Sequence, residues 1–427
     1  MNINRKTVLL LLVMIAVGII AVLVVVVILS RDDSKQGVDN TSGTDENNDV
    51  EVDPALAKAI DAGTKISNGR CSGSGPVELT ALPMNEEDFS ILIPYGLVIG
   101  GHVTPIDHQY FSPTVFRSAR DTYNVMAPAD GRIVDIGPRA RTNPDNPSDK
   151  FTEYRIVFSY TCTFLTYFDL VTSLSPDLKA EYDKVKDSNG YANQIDFPVK
   201  SGQVIGKIGG QTLDFAVWDT EKPLTGFVVP EHYEGEIWKL YTANPNDYFS
   251  DDLVSILIAK NPRTVEPIEG KIDYDVDGKL IGNWFIKGSG GYSGQQSTGG
   301  GEYWKTHFSI SPDHYDPTRY KFSIGDFDGE ATQFLVNDKS FLPGNIGVDS
   351  GLQKIEVGRF EYTKPQGERW DNMSLIKGPK ISANSNEPVH CALLQMTDAR
   401  ELKLETFKNK RCTSVTSFTA NARVYER

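Results

Sequence analysis

The stretch FPVKSGQVIGKIG, residues 197–209, decides the fold of the middle of this chain, together with TLDFAVWD at residues 212–219. Gly202 separates two short runs rich in apolar and β-branched residues, and glycine tolerates the positive φ of a tight turn. TLDFAVWD is apolar or aromatic along most of its length, which predicts a further strand. Together these segments predict short strands separated by turns.

The residues upstream continue the same pattern. YRIVFSYTCTFLTYFDL, residues 154–170, alternates and is rich in β-branched and aromatic residues, which predicts one long strand or two paired strands. In NVMAPADGRIVDIG, residues 124–137, apolar residues flank Asp130-Gly131, which predicts a hairpin. Residues 176–190 and 247–262 carry the two predicted helices. Residues 66–262 are therefore predicted to form one mainly β domain.

Residues 268–427 are predicted to form a second, all-β domain, either a barrel or a sandwich. KIDYDVDGKLIGNWFI, residues 271–286, alternates on both sides of Asp277-Gly278 and predicts another hairpin. The same residues resemble the start of a calcium loop, but its twelfth position is Trp284 where a bidentate glutamate belongs. His307 and His314 can face each other as metal ligands, although structural surface histidines are commoner.

The N-terminal residues predict a membrane anchor. Residues 8–29 form an unbroken apolar run, long enough as a helix to cross the hydrocarbon core. Arg5 and Lys6 precede this run, so the N-terminal tip is expected in the cytoplasm and the bulk of the chain outside it. A cleaved signal peptide, the competing interpretation, would have a shorter apolar region. Residues 1–30 are thus predicted to be tip and anchor, with the lipid bilayer as partner.

An acidic, disordered stalk is predicted for residues 31–65, because residues 31–53 carry eight Asp and Glu and almost nothing apolar. Over the whole chain the formal charge of −14 excludes nucleic acid as an expected partner, since phosphate binding needs clustered Lys and Arg. Asn40 and Asn372 begin tripeptides that can accept glycans.

Four cysteines fit an oxidising exterior. Their spacing contains no Cys-x-x-Cys, which disfavours a zinc ribbon or a redox motif. Because they fall two and two into the predicted domains, we expect disulfides Cys71–Cys162 and Cys391–Cys412, although the sequence permits two other pairings.

The segment GGHVTPIDHQYF, residues 100–111, places three side chains that can bind a metal within seven positions: His102, Asp107 and His108. It is either part of a metal site or a polar turn, since Pro-x-Asp is also turn composition. A catalytic zinc needs three protein ligands and one open position for water. The sequence offers Asp214 in the TLDFAVWD strand as a further ligand.

The order of these segments resembles the lysostaphin-type (LytM-type) zinc metallopeptidases over about 120 residues. That family has a His-x-x-x-Asp pair, a strand pair, a Thr-x-Tyr-x-His-Leu strand, a Val-x-x-Gly-x-x-Ile-Gly turn and a His-Leu-His strand. The corresponding segments here are GHVTPID, NVMAPADGRIVDIG, TYFDL, PVKSGQVIGKIG and TLDFAV. The resemblance implies a small antiparallel β-sandwich with an open groove.

The resemblance also implies which residues occupy the catalytic positions. Asp169 and Thr212 stand where the family has catalytic histidines, and Asp214 stands where it has a histidine ligand. Zinc, if bound, would be held by His102 or His108 with Asp107 and Asp214. An anionic Asp169 would repel a developing oxyanion. A metal-free groove is therefore favoured over a groove that binds metal without catalysis and over an active zinc peptidase.

Four aromatic residues are expected near the groove, where they could stack on a ligand or be ordinary core residues: Tyr110, Phe111, Tyr167 and Trp218. The favoured function is a non-catalytic cell-envelope module that binds or scaffolds a peptide or glycan. The rival is a divergent zinc endopeptidase acting on cell-wall or surface peptides. A small-ligand receptor built on the second domain, where GNWF at 282–285 resembles the Gly-x-Trp of lipocalins, is the third hypothesis.

Overall fold

The structure is a computed structural model that describes residues 53–143, 146–294 and 302–427. The predicted membrane anchor and the first part of the predicted stalk lie outside the described residues. Among those that are described, no helix is both long and apolar enough to cross a bilayer. The described residues are mainly β-strand, which confirms the predicted fold class at this level.

Helix α1, Pro54–Ile66, lies inside the segment predicted to be a disordered stalk, and that prediction is wrong from residue 53 onward. Asp53 caps the helix, and its Oδ1 accepts a hydrogen bond of 2.9 Å from the backbone N–H of Ala55. Ala59 is buried, and its carbonyl accepts a 2.8 Å hydrogen bond from Thr220 Oγ1. The small residues of one helical face allow this close packing. The stalk prediction missed the helix because it was based on the acidic composition of residues 31–53.

The first β domain is built on an eight-stranded antiparallel sheet in the order β1-β2-β10-β6-β5-β4-β8, with β11 paired to β10. A separate three-stranded sheet has the order β3-β9-β7. The strands of this domain are β1 Phe89–Ile93, β2 Gln109–Pro113, β3 Tyr123–Met126, β4 Gly131–Asn143, β5 Asn146–Ser159, β6 Phe164–Val171, β7 Ser173–Leu174, β8 Phe197–Val199, β9 Val204–Ile208, β10 Leu213–Asp219 and β11 Thr242–Ala243. Helices α2, Pro176–Val185, and α3, Asp251–Lys260, occupy the two predicted helical segments.

The second domain is a closed antiparallel barrel, which decides between the two predicted architectures. Its order is β12-β13-β14-β15-β16-β19-β20-β21, and Phe285 pairs with Glu426 where β12 meets β21. Strands β17 and β18 form a two-stranded sheet beside it. The strands are β12 Gly282–Ile286, β13 His307–Pro312, β14 Tyr320–Phe327, β15 Glu330–Val336, β16 Gln353–Gly358, β17 Phe360–Thr363, β18 Lys380–Ala383, β19 Val389–Asp398, β20 Glu401–Phe407 and β21 Arg423–Glu426.

Both expected disulfides are present. Cys71 is bonded to Cys162 and Cys391 to Cys412, so each bridge stays within one domain. The first joins the segment after α1 to the turn between β5 and β6. The second joins β19 to the segment after β20. These bonds fit an oxidising, extracytoplasmic compartment.

Both hairpin predictions are wrong, although the second segment does contain a turn, at Asp277-Gly278. Strand β3 pairs with β9 while β4 pairs with β5 and β8, so the strands around Asp130-Gly131 are not partners. Residues 271–276 form no strand before the turn at Asp277-Gly278. There the Asp273 carboxylate accepts a 2.8 Å hydrogen bond from the backbone N–H of Gly226, and that long-range contact replaces local pairing.

The sheet domain and the barrel meet along the segment before β2. The Gln333 amide exchanges two 2.9 Å hydrogen bonds with the backbone of Gly100. Gly101 lies so close to the Trp304 ring that an added Cβ would be 3.0 Å from it. Because this segment also carries His102, Asp107 and His108, the barrel contacts define one side of the predicted site.

Candidate functional site

Three neighbouring strands of the eight-stranded sheet bring the predicted site residues together. On β10, Asp214 lies opposite Tyr110 of β2 and opposite Asp169 of β6. Residues paired across antiparallel strands project from the same face, so these three side chains share one face of the sheet. His108 immediately precedes β2, and its ring centroid lies 4.8 Å from that of Tyr110.

His108 lies between two buried carboxylates. Its Nδ1 is 3.3 Å from Asp107 Oδ1, and its Nε2 is 3.3 Å from Asp214 Oδ2. Nδ1 also shares a 2.7 Å hydrogen bond with the hydroxyl group of Tyr167. His108 therefore lies directly between the Asp107 and Asp214 carboxylates.

A buried lysine completes this cluster. Lys239 comes from the 3₁₀ segment Pro230–Tyr241, and its Nζ lies 3.0 Å from Asp107 Oδ1. Glu236 Oε2 is 3.4 Å from the same ammonium, which also lies 4.5 Å from the centroid of the Tyr292 ring. Lys239 thus gives Asp107 a permanent positive partner inside the protein.

The electrostatics of the two carboxylates differ. Burial alone would raise the pKa of Asp107, but the Lys239 ammonium and His108 hold it well below its usual range. Burial raises the pKa of Asp214 to about 7, while His108 opposes this rise and Asp169 adds to it. Asp107 is therefore a fixed anion, whereas Asp214 exchanges its proton near neutral pH.

Asp169 is neutralised by a neighbouring side chain that the sequence analysis missed. Arg139, on β4, donates hydrogen bonds of 3.0 Å from Nε and 2.8 Å from Nη2 to Asp169 Oδ2. This pair removes much of the negative charge that the predicted groove would otherwise carry at this position.

The zinc ligands expected from the family resemblance do not converge on one point. The imidazole of His108 separates Asp107 from Asp214, because each carboxylate faces a different ring nitrogen. The Lys239 ammonium already lies against Asp107. Among the residues that the structure describes, no group of three or more His, Cys, Asp or Glu is arranged to hold a metal. This donor set therefore does not fit a resident zinc, and we derive no metal-dependent step.

His102 and Thr212 lie at the margin of the cluster. The ring of His102, an exposed residue, is 6.0 Å from that of His108. Thr212 immediately precedes β10 and lines an adjacent cavity instead of contacting His108. The two catalytic positions implied by the resemblance, Asp169 and Thr212, thus hold an arginine-paired carboxylate and a hydroxyl group.

The four predicted groove aromatics have different environments. Phe111 points into the hydrophobic core and packs against Phe89, with ring centroids 4.9 Å apart, so the core interpretation holds for it. Tyr167 stacks on Trp218 at 4.9 Å, and both are buried. Arg155 lies over the Tyr167 ring at 4.7 Å, which leaves Tyr110 as the predicted aromatic that lines an open cavity.

This cavity, which we call the junction cavity, lies between the sheet and the barrel and has a volume of about 660 Å³. Tyr110, Thr212 and Gln211 line it from the sheet domain. The second domain contributes an aromatic wall, consisting of Tyr315, Phe360, Tyr362 and Trp370. The volume falls within the range of about 300–1,000 Å³ found for small-molecule sites.

Buried polar side chains lie on the barrel side of the cavity and bond to one another. Lys321 Nζ lies 2.9 Å from Asp313 Oδ2, and the Tyr362 hydroxyl donates a 2.5 Å hydrogen bond to the same carboxylate. His314 is also buried, and burial lowers its pKa to about 4, so it is neutral. The His307 Nε2–H donates a 2.8 Å hydrogen bond to the Tyr292 carbonyl. Both histidines are buried, so the expectation that they lie at the surface is wrong.

Sequence reasoning missed Lys239, Arg139 and the aromatic wall. Lys239 occurs in a segment without a motif, and its role depends on a buried contact to a residue more than a hundred positions away. The aromatic residues of the wall are common in any β-rich chain. No local signal distinguishes them from core residues, because the cavity exists only where two domains meet.

Comparisons with known proteins assign no family. No family model matches the chain, and no curated protein matches it. The similarity to lysostaphin-type peptidases stays a prediction from residues 100–219.

Proposed function

We propose that this protein is a membrane-anchored, extracytoplasmic binding module that holds a glycan or peptide of the cell envelope without cleaving it. The observation that carries the proposal is the Lys239 ammonium 3.0 Å from Asp107 Oδ1, at the position expected for a metal ligand. The two disulfides and the apolar run at residues 8–29 support the location.

The cluster is poorly suited to peptide hydrolysis. Hydrolysis needs a group that polarises the carbonyl and a base that activates water. Asp107 is held as an anion by a buried ammonium, and Asp169 is bound by Arg139. Tyr167 is hydrogen-bonded to His108, and His108 itself is buried, so a substrate carbonyl has little access to this imidazole.

The junction cavity supports the proposed binding function because it can hold a ligand. Tyr110 connects it to the charged cluster, since its ring lies 4.8 Å from His108 and also lines the cavity. A ligand in the cavity can therefore contact Tyr110, at the edge of the predicted groove, and the barrel at the same time. Aromatic side chains with scattered polar groups are typical of binding sites for small molecules.

The test uses the full-length protein in lipid nanodiscs and muramidase-released peptidoglycan fragments as the probe. We expect binding that is unchanged by a chelator and fragments that leave the protein with unchanged masses. Thr212→Trp, which fills the cavity, should abolish binding, whereas Thr225→Trp at an exposed position outside the cavity should not. Absence of binding by the wild type, or fragment cleavage that a chelator stops, would contradict the proposal.

One observation favours the rival endopeptidase. Three buried atoms of the cluster have no hydrogen-bond partner among the described residues, namely Asp107 Oδ2, His108 Nε2 and Asp214 Oδ1. Buried polar atoms usually have partners, so an unpaired group can mark a functional site. The rival requires one zinc per chain by elemental analysis and loss of peptide cleavage on Asp214→Ala.

A further inference from the structure

The junction cavity carries three large apolar side chains that are exposed to water. Ile99, Phe116 and Met373 all line the cavity, and each of them is at least 40 % exposed. They come from three separate segments, which are the residues before β2, the residues after β2 and the loop between β17 and β18. Single exposed apolar residues are ordinary on a protein surface, whereas several around one cavity indicate a site that another apolar group covers.

Other accessible side chains of the lining are apolar as well. Ile93, Leu97 and Phe360 line the cavity and are half-buried. The Gln211 amide, by contrast, is already bonded within the protein, because its Nε2 donates a 2.6 Å hydrogen bond to Glu153 Oε1. A ligand in the cavity therefore gains more from burying apolar surface than from hydrogen bonds to this amide.

A leucine in an unusual backbone conformation adds to the apolar lining. In β6, Phe168 and Val171 both belong to the hydrophobic core, and the pairing with β5 shifts register between them. Leu170 lies in this bulge with a φ of +68°, which bulky residues rarely adopt, and it lines the cavity. Such strained residues occur often at binding sites. Here the bulge places Leu170 at the cavity instead of in the core.

The charges of the lining balance one another. The described residues that line the cavity include two arginines and two carboxylates outside the buried Lys321–Asp313 pair, namely Arg359, Arg369, Glu361 and Asp371. A ligand with a net charge would meet as many like charges as opposite ones. A hydrocarbon chain would cover these side chains without bonding to them, which costs free energy. An apolar group carried on an uncharged backbone with its own donors and acceptors, as in a peptide, fits both features.

We propose that the junction cavity binds one bulky, uncharged apolar side chain of a peptide, with the peptide backbone lying against the charged residues of the lining. This inference rests on the proposed binding function and specifies a peptide as its ligand. An apolar cavity of about 150 Å³ already holds a benzene ring. The junction cavity, at about 660 Å³, therefore accommodates an aromatic or large aliphatic side chain together with the adjoining backbone.

The test is a calorimetric titration of the full-length protein in nanodiscs with capped, uncharged tripeptides, and empty nanodiscs serve as the blank. The probes are acetyl-Gly-Trp-Gly-amide and acetyl-Gly-Ala-Gly-amide, which differ only in the central side chain. We expect the tryptophan peptide to bind and the alanine peptide to bind at least about tenfold more weakly, because burial of a large apolar side chain contributes about that factor or more. Acetyl-Gly-Glu-Gly-amide and acetyl-Gly-Lys-Gly-amide should bind no better than the alanine peptide, since the charges of the lining balance.

Leu170→Gly separates a binding role from a structural one. Glycine adopts a positive φ without strain, so the thermal midpoint should not fall, whereas the affinity for the tryptophan peptide should fall by at least about threefold. The double variant Phe116→Ser/Met373→Ser, at exposed positions, should weaken binding by about tenfold. Val348→Ser is the matched control, because Val348 is 44 % exposed and lies outside the cavity, and it should leave binding unchanged.

Three results would overturn the inference: equal binding of the tryptophan and alanine peptides, no binding of either, or wild-type affinity in the folded Phe116→Ser/Met373→Ser variant. Tighter binding of chitotriose or of dihexanoylglycerol than of the tryptophan peptide would assign the cavity to a glycan or a lipid and would overturn it as well. If peptidoglycan fragments still bind after such a result, the proposed function survives; if they do not, it fails too.

Discussion

Lys239 Nζ lies 3.0 Å from Asp107 Oδ1, and both side chains are almost completely buried. The pair joins the 3₁₀ segment Pro230–Tyr241 to the segment that precedes β2. An ion pair removed from water contributes less than its attraction suggests, but breaking it by removing one partner leaves a buried, uncompensated charge. The pair therefore makes the cluster sensitive to single substitutions.

Lys239→Met should destabilise the protein strongly, because it leaves the Asp107 anion without its cation. We expect a loss of about 3–5 kcal/mol in the free energy of unfolding, measured by urea denaturation. Lys200→Met, which breaks an exposed pair with Asp130, is the matched control and should change stability little. Adding Asp107→Asn to Lys239→Met should restore part of the loss. Equal stability of the Lys239→Met variant and the wild type would show that this pair is not needed.

Asp214 should make stability decrease as the pH rises. Its pKa is raised to about 7, so the folded state binds this proton more tightly than the unfolded state. The stabilisation is complete below about pH 4 and is lost as the pH rises through 7. A shift of about three units corresponds to about 4 kcal/mol.

The measurement is the unfolding free energy of the wild type minus that of Asp214→Asn between pH 4 and pH 8. This difference should fall with rising pH, and a flat difference would contradict the raised pKa. Asp130→Asn is the control, because Lys200 lowers the pKa of Asp130 and any contribution has the opposite sign.

The two disulfides should differ in their effect on stability. Their sequence separations are 91 residues for Cys71–Cys162 and 21 for Cys391–Cys412. In the chain-entropy model, loops of these lengths stabilise by about 4.6 and about 3.3 kcal/mol. Cys71→Ala/Cys162→Ala should therefore lower the thermal midpoint more than Cys391→Ala/Cys412→Ala. The reverse order would indicate that native-state packing outweighs loop entropy.

Arg427 should be important for the stability of the barrel, because its guanidinium packs against buried groups of the barrel. Its guanidinium lies 3.9 Å from the centroid of the Trp284 ring, and its Nη1 donates a 2.7 Å hydrogen bond to the Ile281 carbonyl. Asp275 Oδ1 is 3.4 Å from the same nitrogen, and burial raises the pKa of Asp275 to about 6.

Arg427→Lys should not restore what Arg427→Met loses, because an ammonium cannot donate in several directions within one plane. Both variants should lower the thermal midpoint, as leaving buried acceptors unpaired costs about 1–3 kcal/mol each. Arg423→Met is the control, since the Arg423–Asp326 pair is partly exposed and should matter less. Full rescue by lysine would show that charge alone is sufficient.

Local patterns predicted individual strands better than their pairing. The alternation in residues 154–170 predicted either one long strand or two paired strands, and the structure has the pair, β5 and β6. The turn at Asp277-Gly278 is also present, but neither it nor Asp130-Gly131 joins two paired strands. A hairpin signal reports only local turn preference, whereas pairing depends on which distant strand offers the better partner.

The sequence predicted only part of the candidate site, because the rest depends on contacts between distant segments. The sequence indicated that His108, Asp107, Asp169 and Asp214 belong together. The sheet register brings Asp169 and Asp214 to one face, and the His108 ring lies 3.3 Å from both Asp107 and Asp214. It did not indicate that Lys239 and Arg139 neutralise two of these carboxylates. Those contacts come from segments with no motif, so only the folded chain reveals the charge balance.

By itself, the sequence determined the mainly β fold class and the two disulfides, because alternation and cysteine spacing are local properties. The tertiary structure decided that the second domain closes into a barrel, that a lysine lies against the expected metal ligand, and that a cavity opens between the domains. These features depend on contacts between residues far apart in the chain. Such contacts form only when burial of apolar surface brings the segments together and makes the pairing of their charges necessary.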